Sequence, residues 1–406
     1  MTVTELLAIT LALIVAVPFV IWFILQSLVR PAFAMALGLG LAVFSLTHFG
    51  APGLRYALAL ALMPHLGYAI RRYRLGSTTS LPPFAVPLAY VSVCFTSIIW
   101  SLDPTKTLAA GLAWLILLLF VFTFRSLLAS EAIRRIIFSI LLLSFVSSVA
   151  FLVSSEGWEA NRARGIFTNA NSAGIFTFFL IGVSLWMGKK YWIWIVPSGL
   201  VFIVASGSRA SLLATVILLL VAMVSAVERR LRLAVSALLL FAGIPVSRWA
   251  WNRLQQIEVD SESVLRTNNS RERTWGAAFS FIQENPVFGA GYRATPPLVG
   301  SSSFIKLVAE FGFGFSIFGC LLVGAYFWWS RYDPIMLGIT LGAFANTIFE
   351  DWLLTAGAPM LAVYLLLVMS TPQRRLEDSA SGPIMPTGGG VARQRIYRSG
   401  VGNGRE

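Results

Sequence analysis

The strongest constraint on this chain is an alternation. Apolar blocks of helix length recur from Leu6 to Ser370, and short polar connectors separate them. Charged residues make up 12% of the chain and sit almost entirely in the connectors. A helix folded in water keeps charge along one face. Helices apolar on every side are favoured where the solvent is lipid, because a helix satisfies its own backbone polar groups there. The pattern predicts an all-α polytopic integral membrane protein and moves the search for chemistry to loops and helix ends.

Read block by block, the sequence predicts about thirteen spans of the length a bilayer needs. They run Leu6–Leu28, Pro31–Leu46, Leu54–Ile70, Pro83–Trp100, Thr107–Leu127, Ile136–Ser154, Ser172–Met187, Tyr191–Ala205, Arg209–Val227, Leu231–Val246, Ser303–Trp329, Pro334–Phe349 and Leu353–Met369. Several are short, so the count becomes about twelve if two blocks form one broken span. Cys94 and Cys320 fall inside blocks, which predicts neither a disulfide nor a redox motif.

The formal charge of +13 would suggest nucleic acid if it were clustered on a soluble face, but the cations flank spans. There they set orientation and contact anionic lipid. One set of connectors receives Arg30, Arg71, Arg72, Arg74, Arg125, Arg134, Arg135, Lys189, Lys190, Arg229, Arg230, Arg232 and Arg331. The short connectors of the other set hold only Arg55, Lys106, Arg162, Arg164 and Arg209. The first set is therefore expected to be cytoplasmic. Met1 to Glu5 carries no Lys or Arg, which fits a non-cytoplasmic start and no cleaved signal peptide. Three regions follow: N-terminal helices over 1–164, a second helical region over 165–370 with an outward loop over 247–302, and a Gly- and Arg-rich cytoplasmic tail over 371–406, expected to be disordered.

The second half of the outward loop has helical form. Asn269 followed by Glu272 has the spacing of a capping box. Trp275, Ala278, Phe279 and Ile282 then share one face, and Pro286 ends the run. An amphipathic helix lying at the outward mouth of the bundle is expected. Arg271 lies four residues before Trp275 and shares its face, whereas Arg273 projects to the other side.

Three outward helix starts carry polar residues: Gly165 to Ser172, Ser206 to Arg209, and Ser301 to Ser303. A helix N-terminus has free N–H groups and partial positive charge, so it suits anions. Two readings stand at each: ordinary capping with an Arg reaching the interface, or a diphosphate site in which Arg209 joins the helix end. Arg271 is open in the same way, between a salt bridge to an acid such as Glu310 and a phosphate clamp built on its forked guanidinium. Glu310, about two turns into its span, is a candidate for buried chemistry, and Lys306 one turn earlier is its simplest partner. Glu350 and Asp351 read as a solvated outward turn. His48 and His65 are isolated packing or interfacial residues. No residues have metal-ligand spacing, no nucleotide-binding glycine loop occurs, and no cofactor is expected.

Taken in order, these elements resemble the O-antigen ligase and polysaccharide polymerase superfamily. That family shows Gly-x-Phe-x-Asn-x-Asn before a span, here Gly165, Phe167, Asn169 and Asn171. A Ser-Gly-Ser-Arg element follows, here Ser206 to Arg209. An outward loop then carries Arg-x-x-x-Trp, here Arg271 and Trp275, and His-Pro-x-x-Gly-x-Gly, here Asn285 to Gly291 with Asn in place of His. The resemblance covers about Gly165 to Met369. It implies transfer of a glycan from an undecaprenyl diphosphate carrier at the outer face of a bacterial inner membrane, with the active site facing the periplasm. It also implies diphosphate recognition by Arg209 and Arg271, with Ser208, Asn169 and Asn171 as further substrate-binding candidates. Expected partners are the lipid-linked donor, a glycan acceptor, membrane lipids, and polysaccharide export or chain-length proteins, with no nucleic acid.

One departure matters. The ligases carry a His in a His-Asn-Ser-Phe-like element, where this chain has Ser301-Ser302-Ser303-Phe304. A Ser accepts no proton at neutral pH without help. The departure favours a polymerase of lipid-linked repeat units over a ligase to lipid A core, with Glu310 and Ser301 as catalytic candidates. A transporter or an inactive relative is the alternative of another class; discontinuous spans and charges near mid-membrane would mark a transporter.

Overall fold

Every apolar block within the described residues forms a helix. The computed structural model describes residues 25–50, 54, 57–74, 82–226, 269–296, 302–355 and 358–371. The chain runs through α1 (Pro31–Phe44), α2 (Ala57–Arg74), α3 (Pro82–Thr96), α4 (Pro104–Leu127), α5 (Ser130–Phe151), α6 (Ala170–Met187), α7 (Lys189–Ser206) and α8 (Arg209–Ala226). It resumes as α9 (Asn269–Glu284), α10 (Ser303–Ser330), α11 (Pro334–Thr347) and α12 (Pro359–Met369). The predicted span Leu231–Val246, nearly all of Leu6–Leu28 and the tail beyond Thr371 lie outside the described residues.

Local chemistry sets the helix ends. Proline stands in the first turn of α1, α4, α11 and α12, where its missing N–H would have had no partner. Asp333 caps α11, its carboxylate accepting from the N–H groups of Ile335 and Met336. Asp103 caps α4 through the Lys106 N–H at 3.0 Å. A hydrogen bond from the Lys106 side chain also holds the Asp103 carboxyl below its usual pKa.

Helices α4, α5, α6 and α10 are long and apolar enough to cross a membrane. Helices α1, α11 and α12 are apolar but shorter, as are the stretches Phe84–Trp100, Lys190–Ser206 and Arg209–Ser225. This is an all-α polytopic membrane protein. Among the described residues its one sheet is a hairpin of β1 (Trp158–Glu159) and β2 (Arg162–Ala163). Helix α12 is buried along its whole length and packs against α1, α4, α5 and α10. Its uncharged sequence permits burial on every side. Helix α11 lies along α8, where the small residues Gly342 and Ala214 bring the backbones close.

Three expectations are corrected. The last block begins its helix at Pro359, not Leu353: Trp352, Leu353 and Leu354 are buried in a turn before it, and the residue before a proline disfavours helix. The loop helix α9 forms, but Phe279 is 53% exposed. Its buried contacts come from Ala278 and Ile282, packed against Ala309, Ile305 and Val308 of α10. Lastly, α10 is not continuous. Gly312 has φ 63° and ψ −178°, which breaks the helix two residues after Glu310.

The break is filled by the segment after α9. The Phe313 N–H donates to the Pro286 carbonyl at 2.8 Å. The N–H groups of Ala290 and Gly291 donate to the carbonyls of Ala309 and Glu310 at 2.9 and 2.8 Å. Irregular backbone survives at such depth only when protein groups satisfy it. The segment is pinned further by Tyr292, whose hydroxyl accepts from Trp114 Nε1 at 2.7 Å and donates to the Leu354 carbonyl at 2.9 Å. Its ring stacks on Phe311 with centroids 5.6 Å apart.

Candidate functional site

Among the described residues, cations of the two sets occupy opposite ends of the helices. At one end, Arg125 in the last turn of α4 bonds the Met369 carbonyl. Arg134 at the start of α5 stacks over Trp186 at 4.2 Å, and the Trp186 indole donates to both oxygens of Asp333. At the other end stand Lys106, Arg162 and Arg209, together with the starts of α4, α6, α8 and α10.

At that second end the three motif-bearing helix starts meet. Asn169 caps α6, its side chain accepting from the Asn171 N–H at 2.7 Å. The Asn171 side chain then bridges two elements. Its Oδ1 accepts from Arg162 Nη2 at 2.6 Å, and its Nδ2 donates to Glu350 Oε1 at 2.8 Å. Arg162 stands on β2 and also donates from Nε to the Ser206 carbonyl at 2.8 Å, so it ties the end of α7 to the start of α6. The Glu350 carbonyl accepts from the Ser303 N–H at 3.3 Å and from the Ser303 hydroxyl at 3.1 Å, which fastens the start of α10.

The Ser206 to Arg209 element is a tight reversal between α7 and α8, with Gly207 as a left-handed C-cap. Ser208 is buried, and its hydroxyl donates to Ser211 Oγ at 2.8 Å. The Asn346 amide reaches Ser211 at 3.3 Å, and Trp352 Nε1 donates to Asn346 Oδ1 at 2.8 Å. Ser208 thus faces the bundle interior. Arg209, the first residue of α8, is half-buried at the same end.

The acids are arranged differently from their sequence reading. Lys306 does not pair with Glu310; it pairs with Asp351. Asp351 also meets Arg293 at 3.4 Å and accepts from the Thr355 hydroxyl at 2.6 Å. Glu350 and Asp351 are therefore joints of the network, not a solvated turn. The reason is distance along the chain: Lys306, Ser303, Arg293 and Asn171 lie 45, 47, 58 and 179 residues from the acids they meet. Glu310 is 3% exposed, and its Oε1 has no hydrogen-bond partner among the described residues. Arg271 lies on α9; its side chain and the whole of Ser301 fall outside what is described.

Sequence reasoning missed Arg162, Arg293, Asp351 and Tyr292 as organisers of this end. Arg162 had a signal: it was one of the few cations in the outward set. The helix break had one too, in the Gly312 and Gly314 pair inside an apolar run.

Fold and site together define a polytopic membrane protein whose polar chemistry gathers where several helices begin. Residues 193–311 match the family model described as O-Antigen ligase. The match supports a place in the O-antigen ligase/polymerase-related superfamily, that of membrane glycan-processing enzymes. It includes Ser206 to Arg209, Arg271, Trp275 and Asn285 to Gly291, while the Gly165 to Asn171 element precedes it and Glu350 follows it. No curated protein matches the chain.

Proposed function

We propose that this protein is an integral membrane glycosyltransferase that polymerises undecaprenyl-diphosphate-linked repeat units of a surface or secreted polysaccharide. The observation that carries the reading is the meeting of helix starts α6, α8 and α10 around Asn171, Arg209 and Glu350. Helix N-termini and guanidinium groups suit a diphosphate. Arg209 and Arg271 stabilise the leaving diphosphate, Asn169 and Asn171 shape the approach, and a hydroxyl of the acceptor sugar attacks the anomeric carbon. The sparse cations of this end orient it toward the periplasm of a bacterial inner membrane. Burial of Ser208 and Glu310 weighs against either touching substrate.

The test is the lipid-linked glycan that accumulates when the gene is deleted. Single repeat units on the carrier support a polymerase. Full-length polymer left on the carrier instead supports the ligase reading. A carrier for lipid-linked sugar is the second reading, and the break in α10 beside buried Glu310 favours it. Repeat units that keep their length but stay on the cytoplasmic face in the deletion strain would select that reading.

A further inference from the structure

Glycosyl transfer to a sugar hydroxyl needs a group that takes the hydroxyl proton, and where the ligases carry a His this chain reads Ser301-Ser302-Ser303-Phe304. Among the described residues, the carboxylates near the starts of α6 and α10 include Glu159, Glu310, Glu350 and Asp351. Glu159 Oε2 accepts from the Ala170 N–H at 3.1 Å, a helix-start contact. Asp351 is held by Lys306, Arg293 and Thr355. Glu310 is sealed inside the bundle.

Glu350 is half-buried at the junction itself. Its position is set from several sides. Its N–H donates to the Asn346 carbonyl at 3.1 Å, and its own carbonyl carries the start of α10 through Ser303. Its Oε1 takes the Asn171 amide at 2.8 Å. The orientation of that amide is not arbitrary: Arg162 can only donate, so it claims Oδ1 and turns Nδ2 toward Glu350. A carboxylate offers about four lone-pair sites, so it can accept a sugar hydroxyl beside contacts it already makes. The run Arg162–Asn171–Glu350 therefore aims a carboxylate at the place where α6 and α10 begin.

We infer that Glu350 is the proton acceptor for the attacking sugar hydroxyl, with Asn171 and Arg162 as its positioning residues; this rests on the glycosyl-transfer reading above. The acceptor oxygen forms its bond to the anomeric carbon as its proton passes to the Glu350 carboxylate. The bond from that carbon to the diphosphate oxygen breaks, and the leaving oxygen keeps the electron pair, its charge met by Arg209. No oxidant, reductant or further reactant is consumed.

The experiment compares membranes carrying wild-type protein, Glu350→Gln, Glu350→Asp and Asn171→Ala, in a strain lacking its own copy, with the native lipid-linked repeat unit as donor and acceptor. Polymer formation is followed across pH, and folded protein is measured after detergent extraction. Glu350→Gln is expected to lose about a hundredfold or more of the transfer rate at wild-type protein level. Glu350→Asp is expected to retain transfer with a displaced acidic limb in its pH profile, and Asn171→Ala to displace that limb by a smaller amount. Wild-type rates from Glu350→Gln would overturn the inference alone. If Glu350→Gln does not fold, Glu350→Asp decides: a folded, active variant with an unaltered pH profile overturns it. Wild-type membranes that never lengthen the glycan would overturn the glycosyl-transfer reading, and this inference with it.

Discussion

Replacing Gly312 by Ala tests whether the broken helix and its docked segment organise the candidate site. At φ 63° and ψ −178° the backbone of Gly312 lies in a region that side chains strongly disfavour, and forcing Ala into it costs about 1–3 kcal/mol. A Cβ there would also stand 2.2 Å from the Val287 carbonyl oxygen and 2.6 Å from the Phe288 nitrogen. Both are backbone atoms, so the whole Pro286–Gly291 segment must move. That threatens the bonds from Phe313 to Pro286, Ala290 to Ala309 and Gly291 to Glu310. Leaving even one of these buried groups unmade costs a further 1–3 kcal/mol or about that. The sum, about 2–6 kcal/mol, is large against the stability of a typical domain. Gly324→Ala is the matched control, because a Cβ there meets nothing within 4 Å; it is expected to be neutral or to add up to about 1 kcal/mol through helix propensity. Thermal unfolding of detergent-extracted protein, followed by the loss of its monodisperse elution, measures both. Gly312→Ala should unfold well below wild type and below Gly324→Ala. Equal unfolding temperatures with full activity would refute the docked-segment account.

Arg209→Lys should lower polymer yield about tenfold or more at matched protein level, because a point charge does not reproduce a two-pronged contact to phosphate; normal yield would remove the clamp. Glu310→Gln should leave polymer yield near wild type, since the residue is only 3% exposed. Loss of polymer from well-folded Glu310→Gln would instead return the acid–base role to that residue. Ser261→Cys should react with a membrane-impermeant thiol reagent in intact spheroplasts, as the outward loop requires; labelling only after permeabilisation would reverse the topology.

Much of the fold was legible because hydrophobic length is a property of consecutive residues. The blocks Ser172–Met187, Tyr191–Ala205 and Arg209–Val227 found their helices, α6, α7 and α8, within about two residues of the ends, the usual uncertainty of helix boundaries. Prolines at 31 and 334 marked starts for a reason that acts within one turn, while α4 begins at Pro104, three residues before the expected Thr107. The motif-bearing helix starts were also readable, since capping and Arg placement are local. How their side chains turn was not: Ser208 carries the right chemistry in the right element, and its hydroxyl bonds Ser211 inside the bundle.

By itself, then, the sequence determined a bundle of lipid-compatible helices, the segregation of its cations to two ends, and the motif-bearing starts of α6, α8 and α10. Tertiary structure alone decided what those starts share. Asn171 reaches Glu350 across 179 residues, and Thr107 bonds the Tyr292 carbonyl across 185. It also diverted Lys306 from Glu310, one turn away on its own helix, to Asp351. Periodicity along a chain fixes which face a residue occupies. Which distant face it meets depends on how whole helices pack, and on where buried polar groups find the partners that lipid does not supply.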